Sequence, residues 1–173
     1  MLLLSAEAFA LTPAARMEIW RLWSGHLVHY NLAHLLTNAV AVAVPLGLVD
    51  RACRRAILLA LPLIAPAISL ALLAAGGLDE YRGASALAIA TWIIASLSLL
   101  RSPVAADRGC GGALLILTVA KLTAETAGWG HVWHGIPPSP LAHLYGAMAG
   151  LATLGAWRIT RLIAASIPIS IER

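Results

Sequence analysis

The chain has 173 residues, 60% of them apolar and only 12% charged, with a mean hydropathy of +0.83. Soluble domains run at about 45–50% apolar and about 25% charged, so this composition predicts an integral membrane protein and excludes a sizeable soluble domain. The net charge is +4, without the basic stripe and interleaved aromatics of a nucleic-acid groove, which leaves membrane topology as its explanation.

Residues 1–5, Met-Leu-Leu-Leu-Ser, are too few to span a membrane and have no basic flank, so they make a poor signal peptide. They read as the remnant of a longer first helix. Five apolar segments follow, at about 34–49, 56–77, 85–100, 112–128 and 141–157. A spanning helix needs roughly 20 residues for about 30 Å of hydrocarbon. The expected fold is therefore an all-α integral membrane bundle with five full spans. It forms one domain over 1–173: an N-terminal remnant and outer loop over 1–33, a five-span core over 34–165 and a cytoplasmic tail over 166–173.

Charged residues punctuate the first three gaps, while the fourth, 129–140, holds His and Trp but no Lys or Arg. Eight arginines fall on one side: Arg51, Arg54, Arg55, Arg101, Arg108, Arg158, Arg161 and Arg173. The other side has three, Arg16, Arg21 and Arg82, and Lys121 lies within a span. The positive-inside rule makes the first set cytoplasmic. Ser85, His143 and His34 then all sit at outer helix ends. Cys53 and Cys110 fall in what read as Arg-containing cytoplasmic loops, where thiols stay reduced, and have no evident role. The span opening at Ser85 is short. Either its approach loop is buried in protein or faces water below the lipid surface, or the bilayer thins locally around it.

Serine is a weak nucleophile unless a base takes its proton, and neutral histidine suits that task near pH 7. Gly83, in Gly83-Ala84-Ser85-Ala86, would let backbone approach closely at the helix entrance. Gly-x-Ser alone equally fits a simple helix contact. His143 says more, because an intramembrane histidine points to function. Gly146 and Gly150 follow it in a small-x-x-x-small pattern that lets two backbones close up, which would bring His143 within hydrogen-bond reach of Ser85. The alternative is a histidine satisfied by a neighbouring carbonyl. In His26-x-x-His29-x-x-x-x-His34-x-x-x-Asn38, His34 and Asn38 share a helix face. With the Ser85 backbone N–H, they could donate to an oxyanion. A metal on the three histidines is the competing reading, but no further ligand lies nearby in sequence. No metal or other cofactor is expected.

Together and in order, these motifs resemble the rhomboid family of intramembrane serine proteases. Glu18-Ile19-Trp20-Arg21 is similar to its Trp-Arg motif, His34 and Asn38 to its His-x-x-x-Asn, Gly83-Ala84-Ser85-Ala86 to its Gly-x-Ser-Gly. Ala142-His143-x-x-Gly146-x-x-x-Gly150 is similar to its Ala-His-x-x-Gly-x-x-x-Gly. The resemblance covers residues 18–150 and implies a Ser85–His143 dyad with no carboxylate third member; the sequence offers none. It also implies an oxyanion site of His34, Asn38 and the Ser85 N–H, helix packing at Gly83, Gly146 and Gly150, and scaffold roles for Glu18 and Arg21. The implied partners are membrane lipid and the transmembrane segment of a protein substrate. The implied place is the bacterial inner membrane, with the site opening to the periplasmic side.

Lys121 and Glu125, spaced i, i+4, are read as an ion pair that fixes packing inside the bundle. The pair looks like the rhombosortase branch, bacterial enzymes that process secreted proteins bearing a C-terminal tail of Gly-Gly, hydrophobic helix and basic end. The alternatives are a general bacterial rhomboid protease of single-pass proteins, an inactive rhomboid-like protein that binds helices, and a small transporter or channel. Internal repeats would favour the last, and the motifs contain none.

Three features depart from the family pattern. Ala86 replaces the second Gly of the serine motif, which would crowd the last span. Ile89 stands where many members place a tyrosine against the histidine. The first of six spans is missing or truncated. Finally, Trp129-Gly130-His131-Val132-Trp133-His134 reads as an interfacial segment or as a cap over the site, moving on Gly128, Gly130 and Gly135.

Overall fold

The computed structural model describes residues 6–130, 132, 135–136 and 139–166, and these are all-helical, with no strand among them. Two 3-10 turns, Ala6–Ala8 and Pro13–Arg16, and a short helix α1 (Arg21–Ser24) precede five longer helices. These are α2 (Leu32–Leu48), α3 (Arg51–Ala75), α4 (Ser85–Leu99), α5 (Ala105–Thr126) and α6 (Pro140–Ser166). Each corresponds to one apolar segment, and side-chain caps fix the starts of α2 and α3. The Asn31 side chain accepts the His34 amide at 2.8 Å and starts α2. Asp50 accepts the Cys53 amide at 2.8 Å and starts α3; such caps satisfy otherwise orphaned donors. Cys53 and Cys110 consequently lie within α3 and α5, not in loops. Among the described residues, α3 alone qualifies outright by length and apolarity to cross a membrane, while α2 and α4 are shorter apolar helices.

Helix α4 is the axis of the bundle and touches α2, α3, α5 and α6. Its buried residues run without a break from Ala86 to Thr91 and again from Ile93 to Ser96, so every face is covered and no amphipathic stripe is needed. Its hydroxyls are satisfied within the helix: Thr91 Oγ1 donates to Leu87 O at 2.8 Å and Ser96 Oγ to Trp92 O at 2.6 Å. The surrounding helices expose large apolar side chains such as Leu36, Val40, Leu59, Leu63, Ile116 and Met148, an outer surface suited to hydrocarbon.

Three interior prolines, Pro45, Pro62 and Pro66, each leave a carbonyl without its usual amide partner, and two of these carbonyls find another donor. Pro45 has no N–H for Ala41 O, and the Trp92 indole supplies one from α4 at 2.6 Å. Pro66 likewise orphans Pro62 O, and Trp23 Nε1 donates to it at 2.8 Å. In both cases a tryptophan from another element fills a backbone vacancy that water in a bilayer would not reach. At the opposite end of the bundle, arginines cap carbonyls. Arg54 Nε donates to Leu46 O at 2.8 Å, and Arg108 Nη1 to Pro103 O at 2.8 Å. Arg54 thereby sits at the negative end of the α2 dipole.

Trp92→Phe is expected to destabilise the fold by about 1–3 kcal/mol through the unsatisfied Ala41 carbonyl. Pro45→Ala restores an amide there, so the same Trp92→Phe change should be milder in that background. Unfolding of the four variants in detergent micelles measures the coupling; identical losses in both backgrounds would remove the carbonyl from the explanation.

Candidate active site

At one end of the bundle the helices are tied together by the loops before α2 and α4. Tyr81 forms a two-way backbone bridge with Leu11, at 2.8 and 3.0 Å, and Gly83 N donates to Gly25 O at 2.9 Å. Below them, buried His26 places Nε2 3.0 Å from both Ala65 O and Ser69 Oγ. Ser69 Oγ itself donates to Leu22 O at 2.8 Å, so the His26 proton resides on Nε2. Burial holds the His26 pKa down to about 4, against the raising influence of the Ala65 and Gly83 backbone. Arg21 pairs with Glu18 and also donates to Glu7 O at 2.9 Å and Ala10 O at 2.8 Å. It stitches the N-terminal turns to α1.

Between α2, α4, α5 and the start of α6 lies a cavity of about 750 Å³. Ser85, His34, Asn38 and His143 all line it. Ser85 is the first residue of α4 and half-buried; Ala84 before it provides no side-chain cap. The first amides of α4 therefore point outward without intrahelical acceptors. His143 lies in the first turn of α6, which opens on Pro140, a position where a missing amide is harmless. Its Nε2 is buried and makes no hydrogen bond. His34 and Asn38, one turn apart on α2, also keep buried nitrogens unpaired, Nδ1 and Nδ2 respectively. His29 meets the His34 ring edge-on at 5.1 Å, Tyr30 stacks on it at 5.7 Å, and Arg82 lies 5.3 Å from the Tyr30 ring centre.

Gly83 makes this gathering possible. Its φ is +113°, and a Cβ there would lie 2.6 Å from His34 Cε1 and 3.0 Å from Asn38 Nδ2, so backbone passes directly against both side chains. Gly146 and Gly150 do the same for α6. A Cβ on Gly146 would run into the Ala86 carbonyl, and one on Gly150 would come within 2.8 Å of Ala90 O. Ala86 lies directly against α6 at Gly146. Its side chain is fully buried, and the surface it offers Gly146 is its backbone. Ile89 is buried beside Ile93 and Ala147 and lines the cavity. The three outer histidines do not converge on one point, because His26 is committed to α3.

One expectation is overturned. A carboxylate does accompany His143: Glu125 Oε2 lies 2.6 Å from His143 Nδ1, and its Oε1 is 2.5 Å from Lys121 Nζ. The i, i+4 pair was legible in sequence, but its reach across to α6 was not. Tyr81 was also missed. Its buried hydroxyl faces the Ser85 side chain and Ala86 backbone, which lower its pKa; burial dominates and pushes it up to about 12. Its position four residues before Ser85 was the only available signal. In the 129–134 segment, Trp129 is exposed and lines the cavity rim with Gly130. His131, Trp133 and His134 lie outside the described residues, as do 1–5 and 167–173.

Fold and cavity together define a helical membrane protein with a largely apolar chamber into which a few polar side chains project. The family model for the rhomboid domain matches residues 16–159, and the chain belongs to the rhomboid family. Its members are in general intramembrane serine proteases that act on transmembrane substrate segments. Neither a curated protein nor a solved structure gives a significant match to the chain.

Gly146→Ala is expected to destabilise the bundle by about 1–3 kcal/mol through overpacking. Gly155→Ala, on the same helix with open space around it, should be neutral or stabilising by up to about 1 kcal/mol. Thermal unfolding in detergent compares them, and a similar loss in both would discount the α4 contact. His26 gives a pH signature. Unfolded chain, with an ordinary histidine near 6.5, binds a proton that the folded chain refuses until about 4. Stability is thus full above about 6.5 and falls as the pH drops toward 4, by on the order of 2–4 kcal/mol. Melting temperature against pH should lose this slope in His26→Asn; an unchanged slope would assign it elsewhere.

Proposed function

We propose that the chain is an intramembrane serine endopeptidase with Ser85 as nucleophile and His143 as general base. The observation that carries this is the cavity itself: Ser85 shares it with a histidine whose buried Nε2 has no partner and with two unpaired side chains, His34 and Asn38. Buried polar atoms are rarely left unpaired, and a group held in reserve for a reacting molecule supplies the reason.

Ser85 Oγ attacks the scissile carbonyl carbon while His143 Nε2 takes its proton. The tetrahedral oxyanion forms against His34, the Asn38 amide and the Ser85 N–H, donors aimed where charge develops. The C–N bond then breaks, and His143 returns the proton to the leaving amine. A water, deprotonated by the same nitrogen, hydrolyses the acyl-enzyme and restores Ser85. In this reading five helices cross the bacterial inner membrane and the cavity opens to the periplasmic side, in keeping with the bias of eight arginines against three.

The finer assignment is rhombosortase: cleavage of a C-terminal Gly-Gly, hydrophobic helix and basic tail from secreted proteins. The Lys121–Glu125 pair on the cavity wall supports it.

A fluorophosphonate probe should label the native chain at Ser85. Ser85→Ala should abolish labelling, and His143→Ala should slow it by at least about 100-fold. A single-pass reporter with a Gly-Gly tail should be cut, and its Gly-Gly→Leu-Leu counterpart should not. Equal cutting of both reporters would favour a general rhomboid protease. A native chain that takes no label and cuts neither would favour an inactive helix-binding member.

A further inference from the structure

Resting on that reading, we infer that Glu125 is the positioning residue of a Ser85–His143–Glu125 relay, with Lys121 as counter-ion to its carboxylate. Glu125 lies in the last turns of α5 and is 8% exposed, while His143 in the first turn of α6 is 5% exposed. Their hydrogen bond, Nδ1 to Oε2 at 2.6 Å, is therefore buried at both ends. A carboxylate can only accept, so the contact fixes the His143 proton on Nδ1. Nε2, the nitrogen left without a partner, is then the one carrying a lone pair for Ser85. Ring orientation and tautomer are both set by one bond.

The arrangement also answers what happens when the proton moves. On leaving Ser85 Oγ it makes His143 an imidazolium, and that positive charge appears 2.6 Å from Glu125. The carboxylate stabilises the ion and takes up no proton itself. Lys121, whose side chain is 47% exposed, reaches Oε1 from the cavity side at 2.5 Å. It leaves Oε2 to the histidine, so the two oxygens are divided between two partners.

Labelling by the fluorophosphonate tests this without any knowledge of the substrate. In that reaction the Ser85 Oγ–P bond forms, the P–F bond breaks, fluoride leaves and His143 accepts the proton. The full chain in mild detergent should show Glu125→Gln lowering the maximal labelling rate by at least about 100-fold, with half-saturating probe within about threefold of native. Glu125→Asp should recover much of the rate, and formate added to Glu125→Ala should restore part of it. Native labelling in Glu125→Gln overturns the inference while leaving the Ser85–His143 reading intact; absence of label on the native chain would instead sink that reading. If Glu125→Gln loses its thermal transition, the carboxylate replacements decide. Rate returning with aspartate or formate supports the relay. Rate lost in all three, folded or not, makes Glu125 scaffold and overturns it.

Discussion

The backbone contact between α4 and α6 is the constraint on which the rest depends. Helices usually pack with axes 8–10 Å apart, according to the side chains between them. At Gly146 and Gly150 nothing intervenes, and α6 lies directly on the carbonyls of Ala86 and Ala90. In lipid no hydrophobic force drives two apolar helices together, so close packing of small residues does that work. The same contact decides where the first turn of α6 falls, and so carries His143 to the cavity that Ser85 lines. Ala142, beside the histidine, is fully buried in the core cluster with Ala86 and Ala90. The seam extends to the end of the helix that carries His143.

Polar groups elsewhere in the bundle are matched with care. The carbonyls orphaned by Pro45 and Pro66 receive tryptophan donors, hydroxyls of Thr91, Ser96 and Thr118 bond back to their own helices, and arginines cap carbonyls at the opposite end. Among the described residues, the buried side-chain atoms without partners belong to His26, His29, His34, Asn38, Tyr81, Arg82 and His143. All of these lie at the cavity end of the bundle, around the cavity or in the loops that frame it. Unsatisfied groups are costly in a low-dielectric interior, so their concentration at one place separates this region from the remainder of the bundle.

The lining of the cavity has its own division of labour. The α2 side contributes neutral donors from His34 and Asn38, held against Gly83 backbone. The α5 side contributes a charged pair, Lys121 and Glu125. Ser85 stands between them at the start of the central helix, which is also the most thoroughly buried element of the fold. A reacting group mounted there inherits the rigidity of the whole bundle.

Much of this was written in the sequence. Five apolar runs, the arginine bias and four ordered motifs from Trp20 to Gly150 determined an all-α membrane bundle of the rhomboid type and named Ser85, His143, His34 and Asn38. Those features are local: helix period, capping and motif spacing act over a few residues, so a linear reading captures them. The partner of His143, the backbone contact of Ala86 with Gly146 and the pairing of Trp92 with the carbonyl left open by Pro45 were decided only in three dimensions. Each joins residues on different helices, and no spacing along the chain encodes which faces meet. Glu125 makes the point most clearly: its i, i+4 lysine was visible in the sequence, whereas its second oxygen is bound to α6, a neighbour set by backbone packing at two glycines.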